Sequence, residues 1–526
     1  MVSRMSFKLT YATMFDPPEE LHERFEAALA GLRTRLGAEH ALHVGGADVA
    51  PAQGYEKRSP ADTRVVLGRF PLGSARDVER ATAAAERAFD GWRFTPLAER
   101  LRLARRAAAL IEERVYEIAA ALALEVGKNR MEALGEAQET ADFFAGYAGE
   151  LERAAGYDQT LPDDPLPGFR SRNRSVLKPH GVWGVIVPFN FPLALAGGPV
   201  AAALVTGNTV VLKGATDTPW AGRLLADCIR DAGFPPGVFN YVTGPGRVVG
   251  EALVADPRLA GVTFTGSYDV GMGLLRRMSS GRWPRPCIAE MGGKNACIVT
   301  ARGDLERAAT GIVRSAYGLT GQKCSALSRL YVEESAADAL LAKLAERIRA
   351  IRTGDPCRRE SWMGPVINEA AADSYEEYCV RLAQSGGRIF EGGRRLGDGE
   401  LAHGHFVAPT LAEAPPEHPL FQEEMFQPIL MAARVADVRE GVALANQSAL
   451  GLTAGCYGGA EDVRYFLDHI EAGVTYVNRP QGATTGAWPF YQPFGGWKGS
   501  GSTGKAIGSS HYLPLYLREQ SQTVVE

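Results

Sequence analysis

Cys324 lies in the segment Gly321-Gln322-Lys323-Cys324-Ser325-Ala326, between a lysine and a serine and three positions after a glycine. It is one of seven cysteines, at 228, 287, 297, 324, 357, 379 and 456. Free cysteines are often buried and pack as small hydrophobes, so Cys324 alone reads as either a core residue or a nucleophile. A thiolate nucleophile needs a lowered pKa or a neighbouring base, and a group to hold the oxyanion it creates. Three other polar sites offer such parts. Glu290 stands in "AEMGGKNA" (289–296), where a strand runs into a double glycine. Asn190 in "PFNFP" carries an amide suited to an oxyanion hole, and "FTGS" fills 264–267. A partly desolvated carboxylate such as Glu290 can act as general base toward water. Each also has an ordinary reading: a glutamate before Gly-Gly closes a turn, and an asparagine between Phe-Pro steps satisfies loop backbone groups.

The elements that must position these residues alternate. Residues 77–93 and 97–127 carry alanine-rich patterns with apolar residues at three- and four-residue spacing, which predicts helices. "VWGVIVP" (182–188), "NTVVLK" (208–213) and "VFNYVTG" (238–244) are short apolar, β-branched runs of the kind buried in parallel sheets. Helical stretches separate them, one at roughly 219–233, and "GVTFTGS" (261–267) follows as a further strand. This is the α/β pattern of a parallel sheet with crossover helices, and residues 289–477 repeat it. "GPGRVVG" (244–250) brings Gly244, Gly246 and Gly250 but Val249, so it departs from the G-x-G-x-x-G dinucleotide fingerprint. The tail "HYLPLYLREQSQTVVE" is apolar and β-rich, fitting an arm that pairs with another subunit or a docked intrachain strand.

Composition narrows the classes. The 526 residues are 45% apolar and 22% charged, with a net charge of −4, an ordinary soluble globular mix for several domains. That charge argues against nucleic acid, and residues 1–50, with five Lys+Arg and seven Asp+Glu, hold no basic module. No CxxC pair occurs, so neither a disulfide framework nor a zinc cluster is suggested, and scattered thiols fit a reducing cytoplasm. His403-x-His405 lies in a strand-like segment and not in a metal-ligand pattern. Gly181–Leu212 lacks charge over a bilayer-spanning length, but its prolines, asparagines and glycines read as strand, loop, helix and strand, not as a membrane helix. The N-terminus has no apolar core of signal-peptide length.

Taken together, "PFNFP", "NTVVLK", "FTGS", "EMGGKNA", "GQKC", "GHFVAPT" (404–410), "EEMF" (423–426) and "PFGGWKGSG" (493–501) resemble, in order, the motifs of the aldehyde dehydrogenase superfamily, over roughly residues 50–526. The resemblance implies an α/β fold with a Rossmann-like cofactor domain (51–157 and 180–288), an α/β catalytic domain (289–477) and a small β oligomerisation flap with bridging segments (158–179 and 500–526). Residues 1–50 would be an N-terminal extension and 478–499 a substrate anchor loop. It implies Cys324 as nucleophile, Asn190 with the Cys324 backbone N–H as oxyanion hole, and Glu290 as the base that activates water. NAD would be held by Pro188, Phe189, Lys213, Thr216, Gly246, Gly266, Ser267, Gly292, Glu424 and Phe426. No metal is implied. A cytoplasmic homodimer or higher homo-oligomer is.

Ser325 and "TTGAWPFYQPFGG" (484–496) further resemble a branch of the superfamily that oxidises L-glutamate γ-semialdehyde. There Thr485, Gly486 and Ala487, with Ser325, would bind the α-carboxylate through a hydroxyl and backbone N–H groups. Phe191 and Phe494 would flank the aliphatic chain. Three departures stand out: "PQGAT" (480–484) is longer than usual before the loop, Gln427 replaces a glycine, and Thr216 stands where many relatives have a glutamate that repels a 2′-phosphate. With Thr216, NADP is expected to be tolerated beside NAD. A simpler aldehyde as substrate is the nearest alternative. A papain-like thiol hydrolase is a more distant one, and it lacks a histidine motif.

Overall fold

A computed structural model describes residue 9 and residues 17–50, 53–165, 167–480, 482 and 488–525. Two seven-stranded sheets form its centre. In the first, strands Cys287–Glu290, Leu259–Thr265, Val182–Ile186, Thr209–Gly214 and Phe239–Thr243 run parallel, and the hairpin Leu42–Val44 and Ala47–Val49 adds two antiparallel strands. The second sheet orders Arg388–Glu391, Thr410–Glu413, Ile429–Val435, Leu327–Glu333, Asn295–Val299, Thr453–Tyr457 and Val474–Val477, parallel except at its first strand. Parallel strands covered by helices on both faces read as continuous apolar runs, and Thr209–Gly214 is buried throughout.

The expected helix at 77–93 is observed as Ala75–Arg93, opened by a Ser74–Asp77 capping box. The expected 97–127 run is two helices, Leu97–Glu113 and Val115–Val126, divided at Arg114. The uncharged stretch resolves into the strand Val182–Ile186, a loop, the helix Ala194–Val205 and the strand Thr209–Gly214. Its glycines have a packing cause: a Cβ on Gly197 would stand 2.4 Å from the Thr140 side chain, and one on Gly198 would stand 2.7 Å from Ile507. Among the described residues no helix is long and apolar enough to cross a membrane.

Two buried glutamates lock the helical layer onto the first sheet. Glu125 accepts from the N–H groups of Trp220 and Ala221 at the start of helix Pro219–Ala232. Glu136, on helix Arg130–Arg153, accepts from Leu193 and Ala194 at the start of Ala194–Val205. Each carboxylate satisfies N–H groups that a helix cannot satisfy itself. The tail docks within the chain: Leu517–Val525 pairs antiparallel with Ser171–Pro179, which also pairs with Asp158–Leu161.

Candidate active site

The two sheets are joined where the chemistry is expected. Strand Cys287–Glu290 ends the first sheet, and after four intervening residues Asn295–Val299 enters the middle of the second. The intervening Met291-Gly292-Gly293-Lys294 must therefore turn sharply against neighbours. A Cβ on Gly292 would stand 1.9 Å from the Glu424 carboxylate, and one on Gly293 would stand 2.3 Å from the Cys324 carbonyl oxygen. The double glycine brings Glu290, Cys324 and Glu424 to one place.

Cys324 follows a strained turn. Leu319 and Thr320 adopt φ of 48° and 55°, and Gly321 has φ 69°. Left-handed backbone at non-glycine residues costs about 1–3 kcal/mol each and survives only where surroundings impose it. Here Glu132 accepts from Leu319 N–H at 3.1 Å and pairs with Lys323 at 2.5 Å. The Gln322 side chain reaches Leu319 O and receives Ile367 N–H, and Thr320 donates to Gly364 O. Gly321 packs on the backbone of Gln427, where a Cβ would stand 2.4 Å away. Gln427, unexplained by the sequence, donates through Nε2 to Ala371 O at 2.7 Å in the first turn of helix Glu369–Gln384.

Electrostatics set the protonation states. Burial pushes the Cys324 thiol up to about 12, and the Glu424 and Glu290 charges add to it, while the N–H groups of Ser325 and Cys324 oppose it. Of the two routes to a thiolate, a lowered pKa or a neighbouring base, the first is not seen: burial keeps this half-buried thiol protonated at neutral pH. No histidine ranks among the main influences on it. Burial likewise pushes the Glu290 carboxyl up to about 8, with the Gly496 N–H, 3.0 Å from Oε2, pulling the other way. A carboxyl poised there is near the optimum for a base working at neutral pH. Asn190 is buried and donates through Nδ2 at 2.9 Å to the carbonyl of Gln322, two residues before Cys324, and the same nitrogen carries a second N–H.

The residues expected to hold a cofactor lie at the ends of the first-sheet strands and along the seam, as ligand sites of open α/β sheets do. Lys213 ends its strand buried, and desolvation pushes it down to about 8. Thr216 spends its hydroxyl on Gly244 O at 2.9 Å and accepts from the Tyr55 hydroxyl through its carbonyl. A Cβ on Gly246 would meet nothing within 4 Å, so space stands open beside the turn Gly246–Gly250. Gly266 instead packs on the Phe264 ring. Ser267 is the N-cap of helix Tyr268–Ser279, and its side chain makes no capping bond. Glu424 accepts from Gly293 N–H at 2.9 Å, and Phe426, with φ 55°, meets Phe189 edge-on at 5.9 Å. Pro188 is half-buried beside Phe189. Open space, a buried lysine and a seam carboxylate suit a nicotinamide dinucleotide.

Of the residues expected at the substrate, Ser325 is buried, and its carbonyl accepts from Thr453 Oγ1 at 3.4 Å. Phe191 lies under the Lys128 ammonium, 3.3 Å from its ring centroid, with Lys323 at 5.9 Å. It lines a cavity of about 470 Å³ with Glu132, Glu136, Glu139, Arg314, Arg479 and Trp488. Phe494 is buried, its backbone paired with Ile507. Thr485, Gly486 and Ala487 lie outside the described residues. His405 faces Glu369 at 2.9 Å, and among the described residues no group of three metal-ligating side chains occurs. The charges of helix Arg130–Arg153, and Lys128 over the Phe191 ring, are not legible in the sequence. Their signal was charge on an otherwise buried helical face.

The sequence matches the aldehyde dehydrogenase family over residues 48–521. It is 37% identical over 510 residues to the 1-pyrroline-5-carboxylate dehydrogenase of Geobacillus thermodenitrificans, covering 96% of both chains. It is 36% identical over 511 residues to 1-pyrroline-5-carboxylate dehydrogenase 2 of Bacillus subtilis, again covering 96% of each. The structure superposes on 1-pyrroline-5-carboxylate dehydrogenase from Thermus with bound NAD at a TM-score of 0.92, with 34% identity and 99% of each chain covered. This chain belongs to the aldehyde dehydrogenase family.

Proposed function

We propose that the protein oxidises L-glutamate γ-semialdehyde, the open form of Δ1-pyrroline-5-carboxylate, to L-glutamate with NAD. The observation that carries the reading is the seam at which Gly293 packs on the Cys324 peptide while Glu290 and Glu424 act on its thiol. Nearly full-length similarity to enzymes of that name supplies the substrate.

Cys324 Sγ, its proton passing to solvent water, adds to the aldehyde carbon, and the oxyanion is held by the second N–H of Asn190 and the backbone N–H of Cys324. NAD, when bound, supplies the acceptor for the hydride that leaves this carbon, which becomes a thioester. Glu290 then takes a proton from water as that water attacks the thioester, and the carbon–sulfur bond breaks to return the thiolate and release the acid. Lys213 and Ser267 hold the adenosine ribose and pyrophosphate, Glu424 the nicotinamide ribose, and Phe426 packs beside it. Pro188, Phe189, Gly246, Gly266 and Gly292 shape the groove. Thr216, without a carboxylate, leaves room for NADP. Ser325 with residues 485–487 binds the α-carboxylate, and Phe191 and Phe494 flank the chain. The protein works as a cytoplasmic homo-oligomer, a reading supported by seven free cysteines and by the exposed residues of strand Leu517–Val525.

Steady-state oxidation of Δ1-pyrroline-5-carboxylate with NAD and with NADP tests the reading, alongside simple aliphatic aldehydes. Cys324→Ala should abolish turnover, and Ser325→Ala should raise KM for the amino acid substrate while sparing simple aldehydes. Equal kcat/KM for both substrate types would leave a general aldehyde dehydrogenase instead.

A further inference from the structure

Lys294, the last residue of the glycine turn, is 1% exposed, and its Nζ has no hydrogen-bond partner among the described residues. A buried ammonium without an acceptor is expensive and moves toward the neutral amine unless nearby opposite charge holds it ionised. The residue before it, Gly293, donates its N–H to Glu424 Oε1 at 2.9 Å. Of the two acidic residues that act on Lys294, Glu423 is already engaged by Arg381 and Tyr378. Among the described residues, Glu424 receives a single neutral N–H. We infer that Lys294 is a positioning residue for Glu424: its buried, unpartnered ammonium, one residue from the N–H that binds Glu424, holds that carboxylate against Gly292 on the cofactor side of the seam. This rests on the reading of Glu424 as the nicotinamide-ribose ligand.

The electrostatics of every neighbour agree in sign. Burial pushes Glu424 up, and the Gly293 N–H and, after it, Lys294 pull it back down. Burial and the Arg329 guanidinium push Lys294 down to about 7, against the pull of Glu424 and Glu423. The charge of Lys294 also lowers Glu423 and His418. Cys324, on the other side of Glu424, is raised by it. Removing the ammonium therefore shifts Glu424 toward its protonated form, a poorer acceptor for a ribose hydroxyl, until the pH is raised.

The test measures NAD affinity of the apoenzyme by titration across pH 6–9 for wild type, Lys294→Met, Glu424→Gln and the double variant. Lys294→Met should bind NAD about tenfold more weakly at acid pH and recover toward alkaline pH, since one pKa unit is a factor of ten in population. In the Glu424→Gln background the same change should cost less than about twofold, because the lysine acts through that carboxylate. A folded Lys294→Met enzyme with wild-type affinity, with a loss independent of pH, or with an equal loss in the Glu424→Gln background overturns the proposal. Should Lys294→Met not fold, the proposal requires the double variant, which removes both charges, to restore folding. A double variant equally unfolded overturns it. If Glu424→Gln alone binds NAD normally, the ribose reading of Glu424 falls. Coupling in thermal stability between positions 294 and 424 then decides the positioning claim separately.

Discussion

Gly293 packs so closely on Cys324 that a Cβ at position 293 would stand 2.3 Å from the cysteine's carbonyl oxygen. That oxygen is fixed from another side by Asn295 Nδ2 at 2.7 Å, which also binds Ala326 O. A methyl group at 293 would push against the Cys324 carbonyl oxygen and the hydrogen-bonded Asn295 amide, so Gly293→Ala should move the nucleophile's peptide. The expected result is a kcat reduced at least about tenfold, with a stability loss of about 1–3 kcal/mol, read from steady-state rates and urea unfolding. At Gly292 the atoms in the way are the end of a flexible side chain, the Glu424 carboxylate. Gly292→Ala should therefore cost under about 1 kcal/mol and act on KM for NAD. The opposite pattern would mean that the turn's glycines do not serve the two residues they touch.

The pH dependence of turnover should report Glu290. Its carboxyl is held up to about 8 by burial, above the range of an exposed glutamate. The ionised form is the base, so kcat should climb as pH rises through about 8 and level off above it. Glu290→Gln should remove this limb and lower steady-state turnover by about 10²–10⁴. It should leave a first burst of NADH, because that substitution blocks thioester hydrolysis and not hydride loss. Stopped-flow absorbance at 340 nm checks both, and a Glu290→Gln enzyme with no burst would place the residue before the hydride step instead.

Much of the first sheet was legible because its strands are short β-branched runs flanked by helices with clean periodicity. Val182–Ile186, Thr209–Gly214 and Phe239–Thr243 stand where those runs do. The site was legible for a different reason: Cys324, Glu290 and Asn190 each sit in motifs that a family resemblance identifies. What sequence did not reveal is long-range. Glu132 grips Leu319 and Lys323 from a helix almost two hundred positions away, and no local pattern encodes that pairing. The protonation of Cys324 depends on Glu424, brought near by folding. The tail left two readings open, since a strand's partner is not written in its own residues, and it pairs within the chain.

The raised thiol gives a measurable reactivity. In the apoenzyme, burial keeps Cys324 protonated at neutral pH, with the Glu424 charge adding to it, and the thiolate is the form that alkylates. Iodoacetamide should therefore modify Cys324 slowly at pH 7, with a rate that rises about tenfold per pH unit and shows no plateau up to pH 9. Replacing Glu424 by glutamine removes one opposing charge and should speed the reaction. Mass spectrometry of the modified peptide separates Cys324 from Cys287, the other half-buried cysteine. A plateau near pH 7 would show a thiolate stabilised in the apoenzyme, contrary to the electrostatics of this pocket.

Lys128 and Glu136 form a pair in which both side chains are fully buried, 2.5 Å apart, beside Phe191. Glu136 also receives two helix-start N–H groups through its other oxygen, so its charge is satisfied from both sides. Glu136→Gln keeps an acceptor for those N–H groups but strands the ammonium in the core. The expected loss is about 3–5 kcal/mol, because a buried charge without its partner costs far more than the intact pair contributes. Adding Lys128→Met, which removes the stranded charge at similar volume, should recover at least about half of it. The cation over Phe191 would be gone as well, so the double variant should be stable yet bind the aldehyde less well. Urea unfolding of the two variants, with KM for the substrate measured on the double, distinguishes these effects. A single variant as stable as wild type would mean that water reaches Lys128, and that this pair does not hold the wall on which Phe191 rests.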